Sequence, residues 1–291
     1  MISLPPHVGG CGGARFVWRK LAAAKWEDAW SERLAWLGQR VVMIALVGRV
    51  TVRIEAYQLT RGEADLLVRE FGGAVRAARL LTARELAPKP RPPLRIRGRL
   101  LIVSTEKERS LVVKRHPEIP ALLIPATVAF GTGEHATTAT CLRMLADVAR
   151  GLRGQKWDAL DLGTGSGILA LAARRLGARK VEACDFDPTA VRVAKENAIA
   201  NAIRGVVFRR LDVLEWRPAR KWPVVTANLF STILVKAASR IAASVERGGW
   251  LILSGILRAQ ADDVIAAFER RGCRFEQIAR RGKWVTCVAR R

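Results

Sequence analysis

Between Asp161 and Ala178 the chain reads DLGTGSGILALAARRLGA. An apolar run, WDALDL (157–162), leads into this stretch. Three glycines follow at alternate positions, Gly163, Gly165 and Gly167, and a helical pattern of leucines and alanines takes over at once. A strand that turns through glycines into a helix presents backbone N–H groups and a helix N-terminus to whatever lies in the turn, a recurrent way of holding nucleotides. A dinucleotide turn spaces its glycines G-x-G-x-x-G so that a pyrophosphate rests on the helix end. Counted from Gly163, the third glycine would then stand at 168, but position 168 is isoleucine and the glycine is Gly167.

The observed pattern, D-x-G-x-G-x-G, suits S-adenosylmethionine, a cofactor without a pyrophosphate. The glycines let the backbone approach its methionyl and adenosyl portions, and Asp161 is placed to help receive its ammonium group. A tight strand–helix turn needs glycines even without a ligand, so a second feature is required. A ribose-binding acid belongs about twenty positions on. Asp185 follows Gly163 by 22 residues and ends the run KVEACD. Its rival Asp187 precedes Pro188 at the start of a helical stretch and fits an N-cap with proline in the first turn. Asp185 is assigned to the ribose and Asp187 to the cap. Asp212, after the next strand, is either a neighbour of the adenine amine or a solvated loop acid.

Outward from the turn, strands and helices alternate. Strands are expected at 157–162, 180–185, 206–210, 224–228, 250–254, 274–279 and 284–289, with helices at 168–176, 188–203, 232–245 and 259–270. Such alternation demands right-handed crossovers and a mostly parallel sheet covered on both faces. Only RRGK separates the last two strands, too little for a crossover, so one of them must run antiparallel. A seven-stranded α/β sheet ending in an antiparallel hairpin is the Rossmann-like architecture of class I methyltransferases.

The first part of the chain has another texture. Residues 1–14 are rich in Gly and Pro and are expected to be disordered. From Phe16 to Trp36, tryptophans and leucines recur at helical spacing, and strands RVVMIALVG and RVTVRIEAY, a helix RGEADLLVREFGG and a run AVRAARLLTA follow. Residues 15–87 thus read as a small α/β domain. LAPKPRPPLRIRG, with four prolines, reads as a semi-rigid linker, and RLLIVS with RSLVVK as a hairpin, together filling 88–120 before a domain over 121–291.

At 291 residues the chain has room for one large domain plus a small one. No apolar run approaches a membrane span, and VVMIALV lies too deep for a signal peptide. Five cysteines without a C-x-x-C pair suit reduced thiols in a cytoplasm, and three histidines make a His-based metal site unexpected. The net charge of +24 fits a polyanionic neighbour such as ribosomal RNA. It equally fits arginine-rich coding, since 39 of the 50 basic residues are arginine and the charge is spread over both halves.

One further stretch, AFGTGEHATTATCLRML (129–145), precedes the glycine turn by some thirty residues. Together with LDLGTGSGILALAARRLGA, TANLF and GGWLILSGIL, it resembles the PrmA family, whose members methylate amino groups of large-subunit ribosomal protein number eleven. The resemblance covers residues 121 to about 260, with three motifs in order and spacing. It implies a cytoplasmic, S-adenosylmethionine-dependent protein N-methyltransferase acting on lysine side chains, N-terminal amino groups or both, and it places Thr138, Gly163, Asp185 and Asn228 against the cofactor; a monomer is expected. Thr138 would begin a helix whose hydroxyl and N–H groups face the methionyl carboxylate. Asn228 would end a strand on the ligand-binding side of the sheet, although a strand-end turn residue reads the same way. The same wider family includes the lysine methyltransferase of the electron-transfer flavoprotein β-subunit. Glu134, Ala136 and NLF depart from the usual family residues around the target pocket.

Methyl transfer from a sulfonium needs alignment of a neutral amine and exclusion of water. His135 is a candidate general base, and equally a residue shaping the loop. A nucleic-acid methyltransferase is the alternative, but the two prolines that usually follow the Asn/Asp in base-amine and amide methylation are missing after Asn228, and no Pro-Cys occurs. The small N-terminal domain is expected to present the substrate, with Glu27, Asp28 and Glu32 as a docking face or simply a solvated helix face.

Overall fold

The computed structural model describes residues 15–24, 30–31, 33–45, 50–77, 92–125 and 135–291. The N-terminal 14 residues, Glu27, Asp28, Glu32 and the AFGTGE segment lie outside them. The chain divides into two units, Met1–Ala87 and Pro88–Arg291.

In the first unit, Phe16–Ala23 is a strand (β1) and not the helix expected from its tryptophan and leucine spacing. β2 (Val41–Ala45), β3 (Thr51–Leu59), helix α1 (Arg61–Phe71) and β4 (Ala74–Ala77) follow. The sheet order is β2-β3-β1-β4, with every pair antiparallel. β1 is bonded along both edges, and this pairing overrides its local helical pattern. Trp18, fully buried, meets Ile54, Leu59 and Leu67 in one core and donates its indole N–H to the Gly72 carbonyl at 2.7 Å. α1 starts with a capping box in which Thr60 and Glu63 satisfy each other's backbone N–H.

The second unit opens with β5 (Leu94–Ile96), β6 (Leu100–Val103), α2 (Glu106–Arg115) and β7 (Ala121–Leu123). Of the expected linker, residues 86–91 lie outside the described residues and 94–96 form β5, and the expected hairpin is corrected. RSLVVK lies on a helix, started by a second capping box between Thr105 and Glu108, and α2 is the crossover joining the parallel strands β6 and β7. Leu100, Ile102 and Leu122 join the core of the larger domain, while Leu101, Val103 and Leu123 pack on Val112 of α2. Asn201 locks β7 in place by accepting from the Leu123 N–H and donating to its carbonyl, both at 2.7 Å. Residues 92–123 are therefore part of the second unit's core, and a cut at 121 would divide that core.

After α3 (Ala136–Gly151) come β8 (Ala159–Leu162), α4 (Ile168–Arg175), β9 (Val181–Asp185), α5 (Pro188–Ala200), β10 (Val206–Arg210), β11 (Trp222–Asn228), α6 (Ser231–Ser244), β12 (Val245–Leu257), α7 (Ala261–Glu269), β13 (Arg274–Arg281) and β14 (Trp284–Arg290). The seven-stranded sheet runs β10-β9-β8-β11-β12-β14-β13. β14 is antiparallel to both its neighbours, and the pairs among β8–β12 are parallel. Alternate residues face opposite cores: Ala159, Val224, Ile252 and Val288 meet α3 and α4, whereas Leu160, Val225, Leu251 and Cys287 meet α6 and α7. Strand order reverses between β8 and β11. A crevice at such a switch point, beyond the carboxyl ends of the strands, is where ligands of open α/β sheets bind.

Candidate functional site

The glycine turn leaves β8 at this switch point. Gly163, Gly165 and Gly167 all take positive φ (71°, 54° and 81°), which asks for residues without a Cβ. At Gly163 the demand is also steric, because a Cβ there would overlap the Leu229 side chain. On the far side of Leu229, a Cβ at Gly255 in the β12 bulge would overlap its backbone carbonyl. Leu229 thus sits between two motif glycines, and its N–H donates to the Ser254 carbonyl at 3.0 Å. Three motifs far apart in sequence close on one residue that the sequence did not single out.

Asp161 lies in β8 opposite Thr226 and is 2% exposed. Its carboxylate accepts from the Thr164 hydroxyl at 2.6 Å and the Thr226 hydroxyl at 2.5 Å. Burial pushes its pKa up to about 6, against the lowering effect of those hydrogen bonds. Asp185, ending β9, accepts from the Gly165 N–H at 2.9 Å and the Asp187 N–H at 3.1 Å. Burial raises its pKa too, opposed by these backbone donors. Asp187 caps α5, accepting from the Thr189 N–H at 2.8 Å with Pro188 in the first turn. Asp212 is exposed beyond β10, where its carboxylate accepts from the Leu214 N–H at 2.8 Å.

The start of α3 forms the other wall. His135 is its N-cap and makes no side-chain cap bond. Its Nδ1 is 2.6 Å from the Thr137 hydroxyl, and its ring meets Trp284 edge-on with centroids 5.0 Å apart. Thr138, in the first turn, is buried and accepts from the Asn228 amide at 3.4 Å. The structure therefore joins the Thr138 and Asn228 motifs directly and brings Asp161, Asp185 and the glycines into one turn. Trp284 and the braces Thr164 and Thr226 were not found from sequence. Thr226 looks like any strand residue until the β8–β11 register is known. Two exposed aromatics, Phe186 and Phe230, follow Asp185 and Leu229. Among the described residues no cluster of three or more His, Cys, Asp or Glu could hold a metal, and no helix is long and apolar enough to cross a membrane.

Against known proteins, a family model described as Ribosomal protein L11 methyltransferase (PrmA) matches residues 87–291. A ribosomal protein L11 methyltransferase of Pelobacter propionicus is 40% identical over 200 residues, covering 68% of this chain and 63% of the relative. One from Sorangium cellulosum is 43% identical over 160 residues, covering 55% and 50%. The chain thus spans between half and two thirds of the length of these relatives. The crystal structure of a ribosomal protein L11 methylase from Lactobacillus delbrueckii subsp. bulgaricus matches with a TM-score of 0.56 at 25% identity, covering 68% of this chain and 98% of that one. The seven-stranded domain has the class I methyltransferase fold.

Proposed function

The chain belongs to the ribosomal protein L11 methyltransferase (PrmA) family, and from that premise we propose that it methylates amino groups of ribosomal protein L11, on lysine side chains, the N-terminal amine or both, using S-adenosylmethionine. The observation that carries this reading is the Asn228–Thr138 hydrogen bond, which joins a strand-end amide to a helix N-terminus, with the next residue, Leu229, against Gly163 of the glycine turn.

The residues fit the cofactor. Gly163, Gly165 and Gly167 place no side chain on the turn, so a ligand can approach its backbone closely. Asp185 keeps lone pairs beyond those used by Gly165 and Asp187, and these accept the ribose hydroxyls. The first-turn N–H groups of α3 and the Thr138 hydroxyl receive the methionyl carboxylate. Asp161 supports the turn and attracts the ammonium through it, and Asp212 flanks the adenine amine. The bound sulfonium supplies an already activated methyl group, so the protein has only to orient an amine and exclude water. Asn228 donates its amide N–H to Thr138, which turns its carbonyl oxygen toward the incoming amine. A lysine must first lose its proton. Desolvation favours the neutral form, and His135, held by Thr137 and Trp284, accepts the proton. Phe230 offers an apolar wall to the aliphatic stem of the target.

The test is transfer of tritiated methyl groups to purified L11, with labelled residues identified by mass spectrometry. Asn228→Ala should lower kcat on the order of 100-fold through lost alignment. Label in RNA or in a flavoprotein subunit, with none in L11, would overturn the assignment.

We further propose that the first unit presents the target. Residues 88–291 alone should fold and bind the cofactor but methylate L11 about tenfold more slowly or worse, through loss of remote binding energy. Full-rate methylation by that fragment would remove the presenting role.

A further inference from the structure

We propose that the outer edge of the seven-stranded sheet, β13 with its turn into β14, binds the phosphate backbone of RNA. The choice of RNA rests on the proposed ribosomal target, while the surface itself is independent of it. Residues 270–291 carry eight basic residues against one acidic, Glu276, and seven of the eight are arginine. β13 pairs only with β14 in the sheet order, so its far side is an edge. Arg270, Arg271, Arg274, Arg280, Arg281 and Lys283 are all exposed along it.

The register shows how the charge is laid out. Arg274 stands opposite Arg290 at one end of the hairpin, and Arg281 opposite Trp284 at the other. At roughly 3.3 Å per residue, the two ends are about 23 Å apart, enough to follow about seven phosphates of one strand at about 3.4 Å each. Glu276 offsets only one end, pairing with Arg274 at 3.1 Å and lying 3.9 Å from Arg290. Among the described residues no carboxylate pairs with Arg280 or Arg281. That other end adjoins the candidate site, because Trp284 touches His135 and the exposed Arg258 donates its backbone N–H to the Lys283 carbonyl at 2.8 Å.

Arginine forks match phosphate oxygens two at a time, which a run of lysines would not do. Cations also keep an edge strand from pairing with another chain. The opposite edge meets that need with Arg209 and Arg210 alone, and Arg209 is already paired with Glu182 at 3.2 Å. One cation without a carboxylate partner thus serves on β10, whereas β13 ends in two, Arg280 and Arg281, side by side. Two basic patches, one at each end of the hairpin edge with Glu276 beside the first, call for an extended partner of the opposite sign, and a nucleic-acid backbone provides one.

The test is fluorescence anisotropy of the full chain with a labelled RNA duplex of about twenty base pairs, titrated between about 50 and 200 mM salt. The triple variant Arg274→Glu, Arg280→Glu, Arg281→Glu should weaken binding about 30-fold or more and lower the log–log salt slope by about 2–3. Arg153→Glu, Arg204→Glu, Arg217→Glu makes the same change in net charge at exposed sites away from this edge, and should weaken binding less than about threefold. The neutral Arg274→Gln, Arg280→Gln, Arg281→Gln variant, checked by near-UV circular dichroism, should show the same loss if reversal disturbs folding. Equal losses in the two reversed triples would reduce the effect to net charge and overturn the proposal. So would wild-type affinity in the edge variants, or tighter binding of polyglutamate than of RNA. Because the readout is RNA binding, failure to methylate L11 leaves this result unchanged.

Discussion

Asp161 and Asp185 stand in neighbouring parallel strands, are both buried, and have their pKa values raised by that burial. Their partners differ. Asp161 is met first by two hydroxyls, from Thr164 and Thr226, which can donate to a carboxylate or accept from a carboxylic acid, and then by one backbone donor, at Ala170. Asp185 is met by the backbone N–H groups of Gly165 and Asp187, which can only donate and so favour the charged form. Asp161 is thus a brace whose hydroxyl partners serve either protonation state inside the sheet, whereas at the mouth of the turn the backbone donors around Asp185 oppose the effect of its burial and favour the charged form. Residue type and direction of shift are the same; the partners decide the role.

The largest expected difference between the two lies in stability against pH. The folded pKa of Asp161 is about 6, above its ordinary 3.8. The folded chain therefore binds this proton more tightly than the unfolded chain does. The group costs nothing below about pH 4, and its ionisation destabilises the fold as pH rises through about 6, by about 3 kcal/mol in all. Asp161→Asn cannot ionise. Relative to wild type, it should gain about 3 kcal/mol between pH 4 and pH 7 in denaturant unfolding, on top of any constant offset. A difference that stays flat over this range would mean that Asp161 is ionised at little cost, and the contrast with Asp185 would collapse.

The sequence showed Asp185 and Asp187 more completely than Asp161. Pro188 marks a helix start and so identifies Asp187 as its cap, which the structure bears out. The five inner strands were legible because strands buried on both faces read as apolar runs between helices. The bracing of Asp161 was not, because Thr226 lies 65 residues away and only the β8–β11 register brings the two together. Leu229 was hidden for the same reason: what matters is that its neighbours are glycines. The first unit was harder still. β1 carries helical spacing but is a central strand, and that pairing is not a local property of residues 16–23. In 88–120 a local signal existed, the T-E-K-E capping box at 105–108, and the apolar run RSLVVK obscured it.

A smaller effect should separate the two acids by ligand. Asp185→Ala removes charge-assisted hydrogen bonds to the ribose worth about 1.5–3 kcal/mol each. S-adenosylmethionine binding, measured by calorimetry, should weaken at least about tenfold while the fold persists. Because an amide accepts through one oxygen only and carries no charge, Asp185→Asn should recover only part of the loss. Wild-type affinity in Asp185→Ala would leave the acid without a part in holding the ribose, and the comparison would fail from the other side.

The smallest effect belongs to Asp187, which tests whether the two acids beside Pro188 have been told apart. Its carboxylate accepts from the Thr189 N–H, so Asp187→Ala should cost about 1 kcal/mol of stability, the usual worth of an N-cap. Cofactor affinity should not change. The Asp187 backbone N–H that donates to Asp185 survives the substitution, and the Asp187 charge acts to raise the Asp185 pKa. Removing it leaves Asp185 more firmly ionised, in the state that accepts from ribose hydroxyls. Thermal unfolding and calorimetry on the same preparation read both quantities. A tenfold loss of affinity with unchanged stability would assign the ribose to Asp187 and make Asp185 the second brace.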